Sequence, residues 1–276
     1  MAESRTELAA ATMELLARHR SIRQYDATRT IDPAWIDQIL HAALHGSSSS
    51  GNLNMSSVVK TFDRQRKARL RELHFGQPMV DEAPLVLTFC ADSFRTRQWL
   101  AQRSARPGFA DFISWHVAGY DAVILAQTTA LALQAHGLGI CYMGTTLHSM
   151  GEIAEFLELP ENCLPVTSLV VGWPAEAPAQ RDRLPPRAWI HDERYQRPTP
   201  EQIDDRYRER EVRGWQRYRD LGPEMIERME SHGIHSLAQF YTSKIKYDPD
   251  RFALDSAALV ALLRRRGFLQ PDLKDL

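Results

Sequence analysis

Between residues 19 and 23 the chain gathers an imidazole, two guanidiniums and a hydroxyl: His19, Arg20, Ser21 and Arg23, in the run RHRSIRQYD. Far downstream, beyond a Trp173-Pro174 turn, Arg181 and Arg183 stand in the run AQRDRLPP. A phosphate carries about two negative charges and several acceptor oxygens, so it is best met by forked arginine donors, a hydroxyl and backbone N–H groups from different segments. In an extended segment Arg181 and Arg183 would project to one face. Arginines are also common on solvated surfaces, so either cluster alone says little. Taken together they fit a single anion held between two distant segments.

Other spacings that could do chemistry fall short. Gly46 to Gly51, GSSSSG, begins like a nucleotide-phosphate loop, but Asn52 and Leu53 follow where Lys and Ser or Thr are needed, and the loop leaves a helix instead of joining strand to helix. Gly137 and Gly139 lack the third glycine of a dinucleotide fingerprint and read as a helix stop and a tight turn. His41 and His45 lie one helical turn apart without a third ligand, and His232 and His235 stand alone, so no metal is expected. No nucleophile elbow is present. Cys90, Cys141 and Cys163 are dispersed in apolar surroundings and read as packed, inert thiols of a reducing compartment.

These residues must be positioned by a chain of 276 residues, long enough for a sizeable core. Lys and Arg number 34 against 35 Asp and Glu, so the formal charge of -1 gives no global field for nucleic acid or an anionic membrane. No apolar stretch approaches the roughly 20 residues of a bilayer span, and the N-terminus reads as a helix capped by Ser4 and Glu7 instead of a secretory signal. The expectation is a cytoplasmic protein. Asp32-Pro33 starts a helix whose Ile36, Ile39, Leu40 and Ala43 recur at helical spacing. SSVVKTFD, APLVLTFCAD, GICYMG and PVTSLVVGWP read as four strands, and RQRKARLREL and MGEIAEFLEL as helices between them. A long, mostly apolar helix runs from about Ile113 to His136 and stops at Gly137. After about Arg197 the sequence turns charge-rich and helical; Tyr207, Trp215 and Tyr218 there suit either a partner-covering helix or a solvated one with a few packed aromatics.

In this order HRSIRQY, SSSSGNLNMSSVV, FGQ at 75–77, DAVILAQTTALALQAHGLGICYMGT, VGWPAEAPAQRDRLPP and HDERY resemble the nitroreductase family, over about residues 10 to 196. The resemblance is to the oxygen-insensitive NADPH nitroreductases and flavin reductases that carry a C-terminal helical extension. It implies an α+β fold, with a mixed sheet flanked by helices and a long central helix. It divides the chain into an FMN-binding domain, 1–196, and an extension, 197–276, that joins the dimer and forms a substrate-side lid. It further implies FMN at a homodimer interface and NADPH or NADH as electron donor.

Residue by residue, the resemblance assigns His19, Arg20, Ser21, Arg181 and Arg183 to the FMN phosphate and ribityl chain, and Arg23 to the pyrimidine edge of the ring. Ser49, Ser50 and Asn54 would line the isoalloxazine, Gln77 would hydrogen-bond it, and Tyr142, Met143, Gly144 and Thr145 would pass their backbone beside it. Arg181 stands where relatives often carry Lys. No dedicated catalytic acid or base is visible. The implied activity is ping-pong hydride transfer through flavin N5 to nitroaromatic, quinone or flavin acceptors. The alternatives are flavin or quinone reduction on the same scaffold, or flavin binding without turnover.

Overall fold

A computed structural model describes residues 2–269. By internal contacts the chain forms two units: one holds the residues up to Ala179 and again those from Val260, the other spans Gln180–Leu259.

The first unit is built on four strands, β1 Ser56–Thr61, β2 Leu85–Asp92, β3 Gly139–Met143 and β4 Cys163–Gly172. They are ordered β1-β2-β4-β3, and each neighbouring pair is antiparallel. A parallel component comes from an isolated bridge between Ser21 and Ile140, which lays the 19–25 segment along the β3 edge. The α+β fold is the one expected from sequence. β2 and β4 read as continuous apolar runs because both faces of the sheet are covered. Leu85, Leu87, Phe89, Leu169 and Val171 pack on helices α2 (Pro33–Ala43) and α6 (Phe112–Ala135). Val86, Val170, Cys141 and Met143 pack on α3 (Arg64–Leu73), α4 (Met79–Glu82) and α7 (Met150–Phe156). Between Phe89 and Cys90 the β2–β4 register shifts, opposite Pro165, which has no N–H for the ladder.

Local chemistry explains the helix ends. Asp32 accepts a hydrogen bond from Ala34 N at 2.9 Å, and Asp63 from Arg66 N at 2.8 Å, each filling an orphan donor of the first turn. α6 presents Ala118, Ala122, Ala126 and Ala130 to the sheet, small residues that let its backbone lie close. It ends before Gly137, whose φ of 80° suits glycine. α1 (Ala2–Ala17) already begins at Ala2, and the side chain of Ser4, expected as its cap, lies outside the described residues. α4 and α5 (Phe94–Gln102) were not anticipated from sequence, the first because four residues carry no periodicity. After Val260 the first unit buries Leu262, Leu263 and Phe268, and Phe268 packs 5.2 Å from Trp115.

The second unit holds α8 (Pro200–Arg219), α9 (Pro223–Ser231), α10 (Leu237–Tyr241) and the start of α11 (Pro249–Arg265). α8 carries a full capping box between Thr199 and Gln202. Its Trp215 and Tyr218 pack on Met229, Ile234 and Phe240, so these aromatics serve a small core of this unit. Gly214 lets α8 approach α10 closely: a Cβ there would stand 2.4 Å from Leu237 Cδ2, and the leucine would have to turn.

Candidate functional site

The 19–25 segment is drawn onto β3 by backbone pairing. Ile22 N–H donates to Ile140 O at 2.9 Å, and Ala175 N–H to Gln24 O at 3.0 Å. The approach is close enough that a Cβ on Gly139 would stand 2.8 Å from Ile22 Cβ, so glycine is needed at that position. Extended geometry then sends alternate side chains to opposite faces. Arg20 and Ile22 line a cleft of about 580 Å³ that also includes Arg18, Gln134 and Glu176. Ser21 and Arg23 face Cys141, whose thiol is pushed up by burial while Arg23 and the Ser21 hydroxyl pull it down. His19 meets the Gln134 amide at 3.1–3.3 Å. Glu176 Oε1 accepts from the backbone N–H groups of Arg23 at 2.5 Å and Gln24 at 3.1 Å. Those two amides are therefore taken, and an anion arriving here has side-chain donors to meet.

At the far end of the same strand stands a second group. α3 closes at His74, and the chain reverses through Phe75 and Gly76, at φ 58° and 73°. Arg71 holds this turn, donating to Gly76 O at 3.2 Å and pairing with Asp81 at 3.2 Å. The reversal brings Gln77 Nε2 to 3.5 Å from Thr145 Oγ1, in the 3-10 turn Gly144–Leu147 that follows Met143. His74 Nδ1 lies 2.7 Å from the same hydroxyl. His74 is fully buried, and burial lowers its pKa to about 4, so the ring is neutral at pH 7. Tyr142 donates to Gln127 Oε1 at 3.1 Å, and burial pushes its hydroxyl up to about 12. Ser21, Arg23, Gln77 and the 142–145 backbone thus all border β3.

The serine loop belongs to the other edge of the sheet, where it leads into β1. Asp121 on α6, 3% exposed, accepts from Ser49 N at 2.6 Å and Met55 N at 2.8 Å, pinning the loop at both ends. Arg95 takes the carbonyls: Nη2 donates to Asn54 O at 2.9 Å and Ser56 O at 2.6 Å, while Nε is held by Asp92 at 3.0 Å. Between these clasps Gly51, Asn52 and Asn54 adopt φ of 52–55°, a region Asn tolerates better than most residues. Asn54, Ser57 and Arg95 share a cleft of about 560 Å³ with Gly46, Ser47 and Ser48. With β2 and β4 lying between, the β1 and β3 edges are roughly 14 Å apart at the usual strand spacing. One chain does not bring Ser49, Ser50 and Asn54 to Arg23 and Gln77.

Arg181 and Arg183 belong to the second unit and are exposed. Asp182 between them is tied to α8, at 2.5 Å from Arg217 and 4.0 Å from Arg210, and Arg183 donates to Arg181 O at 3.2 Å. Three participants escaped the sequence reading: His74, Asp121 and Arg95. His74 is the residue just before the FGQ motif, and Asp121 was visible only as a polar break in an apolar helix. Among the described residues no group of three or more His, Cys, Asp or Glu could hold a metal ion.

The donor set suits FMN. Arg20 and Ser21 offer a cation and a hydroxyl for an anionic end, and Arg23, Gln77 and Thr145 offer a cation, an amide and a hydroxyl for the polar edge of a ring system.

A family model described as the nitroreductase family matches residues 16–173. The oxygen-insensitive NADPH nitroreductase of Salmonella typhimurium is 34% identical over 198 residues, covering 72% of this chain and 80% of that protein. The FMN reductase [NAD(P)H] of Bacillus subtilis is 35% identical over 185 residues, covering 65% of this chain and 72% of that one. A solved structure from Bacteroides fragilis superposes with a TM-score of 0.82 at 36% identity, over 93% of this chain and 100% of its own. The NADPH:FMN oxidoreductase of Vibrio harveyi, solved with NAD+, superposes with a TM-score of 0.74 at 26% identity, over 94% and 99%.

Proposed function

The chain belongs to the nitroreductase family, and from that premise we propose that it is an FMN-dependent NAD(P)H oxidoreductase that passes two electrons to nitroaromatic or related small acceptors. The observation that carries this reading is the grouping along β3: Ser21 and Arg23 beside the strand, Gln77 and Thr145 at its end. Relatives named FMN reductase and NADPH-flavin oxidoreductase support a second reading, in which free flavin is the acceptor.

FMN, when bound, would supply two-electron redox chemistry between NAD(P)H and the acceptor in a ping-pong cycle. The protein supplies placement and charge. His19, Arg20 and Ser21 bind the phosphate and ribityl chain through charge-assisted donors. Arg23 sets a cation near the pyrimidine edge, where negative charge gathers on reduction. Gln77 and the 142–145 backbone orient the ring from one side. Ser49, Ser50 and Asn54 line it from a partner subunit, which is how a loop on the opposite sheet edge can serve the same site.

The homodimer this requires has a surface available on α6, where Ile113, Tyr120 and Val123 are exposed. Among the described residues no helix is long and apolar enough to cross a membrane. Three buried free thiols suit a reducing, cytoplasmic location.

The test is spectroscopic. Purified protein reconstituted with FMN should show the flavin visible bands and bleach when NADPH or NADH is added without oxygen. Reoxidation by a panel of nitroarenes, quinones and free flavins then ranks the acceptors. A protein that stays colourless after incubation with FMN sinks the proposal.

A further inference from the structure

His74 is fully buried, Nδ1 lies 2.7 Å from Thr145 Oγ1, and Nε2 is buried with no partner among the described residues. A neutral imidazole has one N–H and one lone pair to distribute between its two nitrogens. Were the hydrogen on Nε2, a buried donor would go unmet while Nδ1 accepted from threonine. Placed on Nδ1, it is donated to Thr145, and only a ring lone pair goes unused. An unmet buried N–H is the costlier defect, so the Nδ1–H form is preferred. Burial keeps the ring neutral at working pH and so keeps this choice in force.

The consequence lies at Thr145. Its hydroxyl has two lone pairs and one hydrogen. His74 fills one lone pair, and Gln77 Nε2 approaches the other at 3.5 Å. With Gln77 presenting Nε2, neither contact at this hydroxyl accepts its hydrogen. Thr145 is half-buried at the end of β3, on the stretch that the proposed function sets beside the isoalloxazine.

We propose that His74 is a positioning residue which, by donating through Nδ1, turns Thr145 into an obligate hydrogen-bond donor toward the bound flavin. The inference rests on the FMN reading given above. On reduction a flavin gathers negative charge at N1 and its pyrimidine carbonyl oxygens, so a hydrogen bond donated to one of these atoms strengthens in the reduced state and raises the reduction potential. His74 would then tune the cofactor without touching it.

The experiment measures the midpoint potential of FMN-loaded wild type, His74→Leu, His74→Asn, Thr145→Val and the double variant His74→Leu/Thr145→Val. Asn places an amide N–H where Nδ1–H stood, whereas Leu places none. The expected result is that His74→Leu and Thr145→Val each weaken the preference for reduced over oxidised FMN by about tenfold, equivalent to about 30 mV for a two-electron couple. His74→Asn should restore most of the loss, and His74→Leu should add nothing in the Thr145→Val background. A His74→Leu potential equal to wild type, or no rescue by Asn, overturns the proposal.

Should His74→Leu not fold, Thr145→Ser and Thr145→Val carry the test: Ser holding the wild-type potential while Val lowers it supports the proposal, and equal potentials overturn it. Imidazole ¹⁵N shifts of the holoprotein read the tautomer independently, and an Nε2–H ring at His74 overturns it as well. Wild type that binds no FMN is a different result, one that removes the functional reading itself.

Discussion

Ser21 and Arg23 owe their place to a residue with no side chain, because only glycine at 139 lets Ile22 settle onto the strand. His74 shows the converse, a polar ring placed where water cannot follow. Its folded-state pKa of about 4 lies below the roughly 6.5 of an unfolded histidine. Between those values the unfolded chain binds a proton that the folded chain refuses, so stability is untouched above about pH 6.5 and falls as pH drops toward 4. The loss is on the order of 3 kcal/mol when complete. Denaturant titrations at pH 7, 5.5 and 4.5 on wild type and His74→Asn should show a steeper fall for wild type, since asparagine does not titrate. Parallel curves would contradict the burial argument.

At the scale of elements, the serine loop is shaped from outside itself. Asp121 takes amides at both ends, and Arg95 takes the carbonyls of Asn54 and Ser56. Arg95 is more than half exposed, so its loss should spare the fold while loosening the loop. Hydrogen bonds from charged donors are worth about 1.5–3 kcal/mol each, and part of this is regained from water. Arg95→Gln should therefore weaken FMN binding by about tenfold, with the melting temperature of the apoprotein nearly unchanged. Fluorescence titration of apoprotein with FMN measures the first quantity. An unchanged affinity would mean that the loop does not depend on this clasp for its role.

For the whole molecule the decisive fact is the strand order, which sets the serine loop and the Arg23–Gln77 group on opposite edges of the sheet. Hybrid dimers test whether the two meet across subunits. A copy carrying Arg23→Ala paired with a copy carrying Asn54→Ala has one site with both lesions and one intact, provided that each site draws its loop from the partner. Such hybrids should retain about half the tight FMN sites of wild type, whereas each parental homodimer retains none. Hybrids as deficient as the parents would return the loop to the site of its own chain.

The sequence by itself determined the elements whose signals are local. Asp32 and Pro33 start α2, Gly137 stops α6, and the apolar runs of β2 and β4 announce strands covered on both faces. It also offered, through ordered motifs, the family and most of the candidate site residues. Only the tertiary structure decided which of them are neighbours. Register and strand order are properties of long-range pairing, so nothing near Ser49 or Arg23 in the chain tells that two strands separate them. Likewise, His74 becomes informative only once the turn at Phe75 and Gly76 brings Gln77 and the ring to one threonine hydroxyl, because a side chain's protonation and partners follow from what surrounds it in space.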